Sequence, residues 1–202
     1  MFEYKNIAIM GGTFNPIHYG HLLIAEQAYS NYSIEQIFFM PTGNPPHKKR
    51  ANIIASSHRL HMLELAVREN EHFSISKYEL EKKGRSYTVD TLRYLTKLCL
   101  AEKIFFIIGA DSLLDIFTWR EPDFLLQNGH LLVASRPEFD INYIYQDEKY
   151  KPYLEHIYFM DTIKVDFSST KIRQLIKEGK SIRYQTPDSV IDYIEENRLY
   201  RG

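Results

Sequence analysis

Two histidines three residues apart, in residues 11–21 (GGTFNPIHYGH), are the first residues whose types and spacing suit chemistry. The segment follows a short apolar run at 6–10 and precedes apolar residues at helical spacing, which predicts a turn from a buried strand into a helix. Such a turn favours phosphate, because free backbone N–H groups and the positive end of the helix dipole both attract an anion. His18 and His21 can donate to the same anion. The segment therefore predicts a phosphate site.

A second group of polar residues occurs at 168–173 (SSTKIR), after another apolar run. Hydroxyl residues at a predicted helix start can cap the helix, and Arg173 adds a guanidinium fork that suits phosphate. Alone, this segment is explained as a well-capped helix. Together, the two segments predict two walls of a polyphosphate site.

The sequence disfavours several other chemistries. It contains neither a G-x-x-x-x-G-K-S/T loop nor a G-x-G-x-x-G fingerprint, which argues against a P-loop ATPase and a dinucleotide-dependent dehydrogenase. Two histidines at i, i+3 suit zinc, but no carboxylate or cysteine stands nearby at ligand spacing, so we expect no resident metal. The single cysteine, Cys99, excludes an internal disulfide, and its apolar helical surroundings predict a small core residue rather than a catalytic thiol.

The elements that must position these residues follow from the apolar pattern. Apolar runs separated by helical patterns predict an α/β fold, a doubly wound, Rossmann-like, mostly parallel sheet with helices on both faces. The alternating segment 72–89, which turns at Gly84, predicts an antiparallel excursion at a sheet edge. The predicted strands are 6–10, 36–40, 103–108, 130–135 and 156–160.

The end of the chain reads as two helices. The first has Ser168 or Ser169 as its cap, and the second has Thr186 as its cap with Pro187 at its first position. We expect residues 1–202 to form one domain, with about 168–202 as a helical subregion packed on it.

Composition narrows the class of protein. A chain of 202 residues that is 44% hydrophobic can bury a sizeable core, and a net charge of −1 argues against a general binder of nucleic acid or membrane surfaces. The first residues lack the basic start of a signal peptide, and no apolar segment reaches the roughly 18 residues of a membrane span. We therefore expect a cytoplasmic protein, and a homo-oligomer is compatible with the sequence.

The two polar segments together resemble the H-x-G-H and S-x-T-x-x-R motifs of a nucleotidyltransferase superfamily. More narrowly, residues 41–49 (PTGNPPHKK), 86–92 (SYTVDTL), 107–122 (IIGADSLLDIFTWREP) and 134–138 (ASRPE) are similar to segments of the bacterial nicotinate mononucleotide adenylyltransferases. The resemblance covers essentially the whole chain. It implies a transferase of NAD (pyridine nucleotide) biosynthesis that moves the adenylyl group of ATP to nicotinate mononucleotide, giving nicotinate adenine dinucleotide and pyrophosphate.

The resemblance also implies site residues and a mechanism. The substrate phosphate attacks the α-phosphorus in line, without a covalent enzyme intermediate, and Mg²⁺ arrives with the ATP. The implied catalytic residues are His18, His21 and Arg173. The implied ATP-binding residues are Gly11, Gly12, Thr13, Phe14, His18, His21, Asp111, Arg136, Ser168, Ser169, Thr170 and Arg173. The implied residues for nicotinate mononucleotide are Asn15, Asn44, His47, Lys48, Thr88 and Trp119.

Alternatives stay open at this point. The acceptor could instead be nicotinamide mononucleotide or phosphopantetheine, because the two motifs are shared across the superfamily. A non-catalytic nucleotide-binding module on the same fold is the rival from a different class. By composition alone Trp119 fits a core position and Asp111 a helix cap. The flat ring of Trp119 and the PPHK loop favour the pyridine nucleotide, and the presence of both histidines with Arg173 favours an enzyme.

Overall fold

A six-stranded sheet organises the computed structural model of the chain, which describes residues 3–43, 53–82, 84–135, 139–162 and 166–201. The strands lie in the order β3-β2-β1-β4-β5-β6, and every neighbouring pair is parallel. The direction of winding reverses between β1 and β4, and ligands of such sheets bind outside the carboxyl ends of the strands at this reversal. The strands are β1 Tyr4–Gly12, β2 Gln36–Pro41, β3 Phe73–Ile75, β4 Ala101–Gly109, β5 His130–Ser135 and β6 Ile157–Asp161.

Helices cover both faces of this sheet, as predicted. They are α1 Tyr19–Asn31, α2 Ser56–Val67, α3 Tyr78–Glu81, α4 Thr88–Lys97, α5 Ala110–Leu114, α6 Pro122–Asn128, α7 Ile141–Gln146, α8 Ser169–Lys177 and α9 Asp188–Glu196. Two 3₁₀ turns, Ile116–Thr118 and Lys151–His156, complete the connections. No helix within the described ranges is long and apolar enough to cross a membrane.

The central strand β1 shows how the sequence builds two cores. Alternate residues of a strand point to opposite faces of the sheet. Ala8 and Met10 accordingly pack in the core beneath α1, α2, α8 and α9, whereas Ile7 and Ile9 pack in the core beneath α4, α5, α6 and α7. Burial on both faces explains why this strand is an uninterrupted apolar run.

Three details of the sequence interpretation are wrong. Residues 72–89 form no antiparallel excursion: β3 pairs parallel to β2 and is followed by the short helix α3. The crossover through α2 delivers β3 in the parallel direction, which side-chain alternation does not encode. Cys99 is exposed, with φ of 50°, because α4 ends at Lys97 before its apolar pattern does. Helix α9 begins at Asp188 with Pro187 as its N-cap, so Thr186 is not the cap.

Candidate functional site

A cavity of about 780 Å³ opens at the carboxyl ends of the strands, beside the reversal between β1 and β4. Its volume lies within the range of small-molecule sites. The segments that line it follow β1, β2 and β4 and include the start of α4. Among the lining residues are Gly11, Gly12, Thr13, Thr42, Glu79, Thr88, Asp111, Trp119 and Arg120. The cavity therefore joins the predicted phosphate turn to the predicted pyridine side.

The loop from 13 to 17 is held by side chains that bind its carbonyl oxygens. Each donor comes from α2, α8 or the segment before α9, so distant parts of the chain fix this loop. A carbonyl oxygen repels an anion, and binding these oxygens to donors compensates the negative ends of the peptide dipoles. The pairs are Arg59 with Thr13, Arg173 with Asn15, Ser169 with Pro16 and Thr186 with Ile17, at 2.7–2.8 Å.

Phe14 adds local strain to the same loop. Its φ of 46° lies in the left-handed region, which is uncommon for a bulky residue and is kept only where packing enforces it. The ring is 1% exposed and contacts the rings of His21 and Phe39, with centroid distances of 5.1 and 5.9 Å. Core packing of one side chain thus sets the course of the loop that leads to the two histidines.

His18 and His21 lie together at the start of α1. Their rings stack with centroids 3.7 Å apart and an interplanar angle of 21°. The backbone N–H of His18, the N-cap residue, donates to Nδ1 of His21 at 3.4 Å. An imidazole nitrogen that accepts a hydrogen bond carries no proton, so the neutral ring of His21 has its N–H at Nε2. The structure therefore gives His21 one defined donor.

His18 differs from its neighbour in its protonation. The residue is 7% exposed, and burial lowers the pKa of its imidazole from 6.5 to about 4. Its Nδ1 has no hydrogen-bond partner among the residues that the structure describes. Near pH 7 His18 is therefore a neutral, buried imidazole.

The SSTKIR segment forms the first turn of α8 and contacts the loop directly. Ser168 is the N-cap, as predicted, and its hydroxyl accepts from the backbone N–H of Lys171 at 3.5 Å. Arg173 donates to the carbonyl of Asn15 and, through its second terminal nitrogen, to the hydroxyl of Thr170 at 3.2 Å. Ser169 and Arg173 hold the loop, a role that the sequence interpretation did not include.

Two of the residues predicted for the pyridine side line the same cavity. Thr88 is the first residue of α4, and Trp119 is half-buried at the edge of the core beneath α4 to α7. Asp111 is exposed in the first turn of α5 and also lines the cavity, while the N-cap of that helix is Gly109. The structure therefore brings Thr88, Trp119 and Asp111 to one space.

Unlike Thr88 and Trp119, Asn15 is not among the residues that line the cavity. The residue is 4% exposed, and its side-chain oxygen accepts from the hydroxyl of Tyr200 at 3.0 Å. Four further predicted site residues, Asn44, His47, Lys48 and Arg136, lie outside the described residues.

Charged side chains connect the segment around Trp119 to helix α4. The guanidinium of Arg93, on α4, donates twice to the carboxylate of Glu121, at 2.9 and 2.6 Å. The guanidinium of Arg120 lies 5.1 Å from the ring centroid of Tyr87 and 3.9 Å from the carboxylate of Asp90. The segment that carries Trp119 is thus fixed to the start of α4.

Sequence reasoning missed two residues at this site, one buried and one half-buried. Arg59 is 2% exposed beneath the loop, and Glu79 lines the cavity and accepts from the Thr91 hydroxyl at 3.0 Å. Burial raises the pKa of Glu79, opposed by nearby hydroxyls and a lysine. Arg59 shares the buried stripe of α2 with Met62 and Leu63, and that spacing was a usable signal. Glu79 stands in a polar stretch and carried no such signal.

No group of three or more His, Cys, Asp or Glu within the described ranges is placed to hold a metal ion. The residues that line the cavity supply backbone turns, hydroxyls, carboxylates, guanidinium groups and one indole ring, which suit an organic, phosphorylated ligand, and His18 and His21 are not among them.

Comparisons with known proteins agree with this chemistry. Residues 9–175 match the cytidylyltransferase-like family. A protein of Desulfitobacterium hafniense (strain DSM 10664 / DCB-2), named "Probable nicotinate-nucleotide adenylyltransferase", is 47% identical over 199 residues, which cover 98% of this chain and 96% of that protein. A protein of the same name from Lachnoclostridium phytofermentans is 40% identical over 201 residues, covering 97% of this chain and 99% of that protein.

Two solved structures share the fold. Both are of Plasmodium falciparum nicotinic acid mononucleotide adenylyltransferase, one complexed with NaAD and one with APC. They superpose on this chain with TM-scores of 0.79 and 0.77, at 23% identity and with 98% of each chain covered.

Proposed function

The chain belongs to the nicotinate-nucleotide adenylyltransferase family, within the cytidylyltransferase-like proteins, and we propose that it transfers the adenylyl group of ATP to nicotinate mononucleotide. The products are nicotinate adenine dinucleotide and pyrophosphate, so the enzyme acts in NAD biosynthesis. The observation that carries the proposal is the cavity that joins the turn after β1 to the ring of Trp119. A phosphorylated pyridine nucleotide needs both features at once.

The reaction needs positioning more than it needs an activated nucleophile. A phosphate monoester is already a competent nucleophile near neutral pH, and it attacks the α-phosphorus of ATP as pyrophosphate leaves. Catalysis then depends on alignment and on donors aimed at the developing charge. Mg²⁺, carried by the ATP phosphates and water, neutralises part of that charge.

His18, His21 and Arg173 are the proposed catalytic residues. The Nε2 hydrogen of neutral His21 can donate to a phosphate oxygen, because Nδ1 is already an acceptor. His18 is neutral without ligand, and a bound polyphosphate favours its protonated form, since an adjacent negative charge raises the pKa of an imidazole. Arg173 uses two of its five N–H donors within the described residues, so other donors can meet the pyrophosphate portion.

The acceptor ring is proposed to lie against Trp119. The start of α4 also lines the cavity, and the N-terminus of a helix favours a carboxylate over a neutral amide. This placement supports nicotinate rather than nicotinamide mononucleotide as the acceptor. The remaining residues proposed from the family pattern, including Asn44, His47, Lys48 and Arg136, complete the two substrate sites.

The test is pyrophosphate release from ATP and Mg²⁺ with three acceptors in parallel: nicotinate mononucleotide, nicotinamide mononucleotide and phosphopantetheine. We expect release with nicotinate mononucleotide. Release with phosphopantetheine alone would overturn the acceptor, and ATP binding without release from any acceptor would favour a non-catalytic module.

A His21→Ala variant tests the catalytic assignment. Loss of one donor to the developing charge is expected to lower kcat by about 10²- to 10³-fold. His61→Ala is the matched control, because His61 is half exposed on α2 and contacts Glu64 and the ring of Tyr193, away from the cavity lining. Turnover of His21→Ala near that of the control would refute the assignment.

A further inference from the structure

Arg59 reaches the two loops that border the cavity without itself lining it. Its side chain rises from α2 and is almost completely buried. One terminal nitrogen donates to the carbonyl of Thr13 at 2.7 Å, and the other donates to the carbonyl of Thr42 at 2.9 Å. Thr13 follows β1 and Thr42 follows β2, and both line the cavity. A single guanidinium fork therefore bridges the carboxyl ends of two strands.

The charge of this guanidinium is not balanced by an acid. Within the described ranges Arg59 forms no ion pair, and its Nε has no hydrogen-bond partner. Burial lowers the pKa of Arg59, opposed by the nearby Tyr200. A buried cation without a carboxylate is costly to a fold, whereas an apolar side chain of similar length would pack here without that cost. What the arginine provides at this position is the pair of hydrogen bonds to the two loop carbonyls.

The backbone at the second of these loops has further contacts. The backbone N–H of Thr42 donates to the carbonyl of Gly12 at 2.8 Å, which extends the pairing of β1 and β2. Next in the chain, a Cβ on Gly43 would meet the carbonyl oxygen of Glu79 at 2.3 Å, so only glycine allows this approach to α3. The guanidinium of Arg59 thus adds a second connection between two loops that the bond from Thr42 to Gly12 already joins.

We propose that Arg59 is a positioning residue that sets the distance between the loop after β1 and the loop after β2. The inference rests on the proposed function, in which the first loop binds ATP phosphates and the second borders the acceptor. In-line transfer needs the attacking oxygen and the α-phosphorus in contact, and a displacement of about 1 Å can lower the rate about 10²-fold. Arg59 acts on the reaction through the two carbonyl groups and touches neither substrate.

Two variants and a control test this role. Arg59→Met removes the fork and the charge, and Arg59→Lys keeps the charge but can serve only one carbonyl well. Arg68→Met is the control, because Arg68 is the exposed C-cap residue of the same helix and pairs with the exposed Glu69. The measurements are kcat and both KM values per folded molecule, with the folded fraction taken from circular dichroism at the assay temperature. Hydrogen exchange at the two loops is followed in parallel.

For Arg59→Met we expect kcat about 10- to 100-fold below wild type, with a smaller change in either KM and faster exchange in both loops. Arg59→Lys is expected to lie between this variant and wild type, and Arg68→Met to match wild type. If Arg59→Met does not fold, the test uses Arg59→Lys. This variant is then expected to show a lowered kcat and faster hydrogen exchange in at least one loop.

The opposite results are equally clear. A folded Arg59→Met with kcat within twofold of wild type would overturn the proposal, as would full wild-type kcat in Arg59→Lys, since charge without the fork would then suffice. If the wild-type protein releases no pyrophosphate with nicotinate mononucleotide, the proposed function is overturned. Hydrogen exchange in the two loops of the Arg59 variants then decides whether Arg59 connects the loops.

Discussion

Lowering the pH from 7 to 5 is expected to destabilise this fold through His18. Burial lowers the pKa of its imidazole from 6.5, the ordinary value, to about 4. Between these two values the unfolded chain binds a proton that the folded chain does not. Stability therefore rises with pH in this window and is lost as the pH falls below 6.5.

The size of the effect follows from the same two values. Each pH unit below 6.5 costs about 1.4 kcal/mol until the pH approaches about 4. At pH 5 the loss attributable to His18 is therefore about 2 kcal/mol. The residue is only 7% exposed, so little of this is screened by solvent. Such a loss is a large part of the stability of an ordinary domain.

Urea unfolding at both pH values, on wild type and His18→Asn, measures this effect. Asparagine is a good N-cap that does not titrate, so the variant keeps the cap and removes the proton. The pKa of His130 is also lowered to about 4 by burial, with His156 contributing, but its effect is common to both proteins and cancels in the difference. Wild type is expected to lose about 2 kcal/mol more than the variant between pH 7 and 5.

Equal losses in the two proteins, within about 0.5 kcal/mol, would refute the inference that His18 is buried and neutral. A second arm adds tripolyphosphate at pH 5. If His18 contacts the phosphates as proposed, the bound anion favours its protonated form, and the polyphosphate should stabilise wild type more than His18→Asn. Equal stabilisation would contradict the contact.

Three further variants test other contacts. Trp119→Ala should raise KM for nicotinate mononucleotide at least about tenfold with little change in KM for ATP, because a stacking surface is lost; equal effects on both substrates would indicate a core residue. Thr186→Val removes the buried hydroxyl that donates to the carbonyl of Ile17 and should cost about 1–3 kcal/mol in urea unfolding, which an unchanged midpoint would contradict. Arg93→Gln breaks the paired bonds to Glu121 and should raise KM for the mononucleotide about threefold at unchanged kcat. The double variant Arg93→Glu with Glu121→Arg, which exchanges the two charges, should restore that KM.

Apolar runs and turn chemistry were sufficient to predict the parallel sheet, its two helical faces and the two polar segments, one after β1 and one at the start of α8. These features depend on local patterns, such as the alternate burial along β1 or the serine cap of α8. The contact of Tyr200 with Asn15 could not be predicted from local patterns, because it joins residues 185 positions apart in the sequence. The direction of β3 was missed for a related reason, since alternation along a strand carries no information on its partner.

The likeness of SSTKIR to a phosphate motif explains only part of what its side chains do. Spacing suggested that hydroxyls and a guanidinium face a ligand, and the structure shows Ser169 and Arg173 bound to the loop carbonyls as well. A side chain with several donors can serve both partners, and a one-dimensional pattern does not separate the two.

The hydrogen bonds to the loop at 13–17 also affect when the loop can form while the ribosome synthesises the chain. The side chains of Ser169, Arg173, Thr186 and Tyr200 stand 153 to 185 positions further along the chain than the loop residues they bind. During synthesis the two histidines leave the ribosome early, while the donors that fix their loop are added much later. Contacts of such long sequence separation form late in folding. A nascent chain therefore carries the proposed catalytic side chains long before their loop is fixed, and we expect activity only when the last helices have docked.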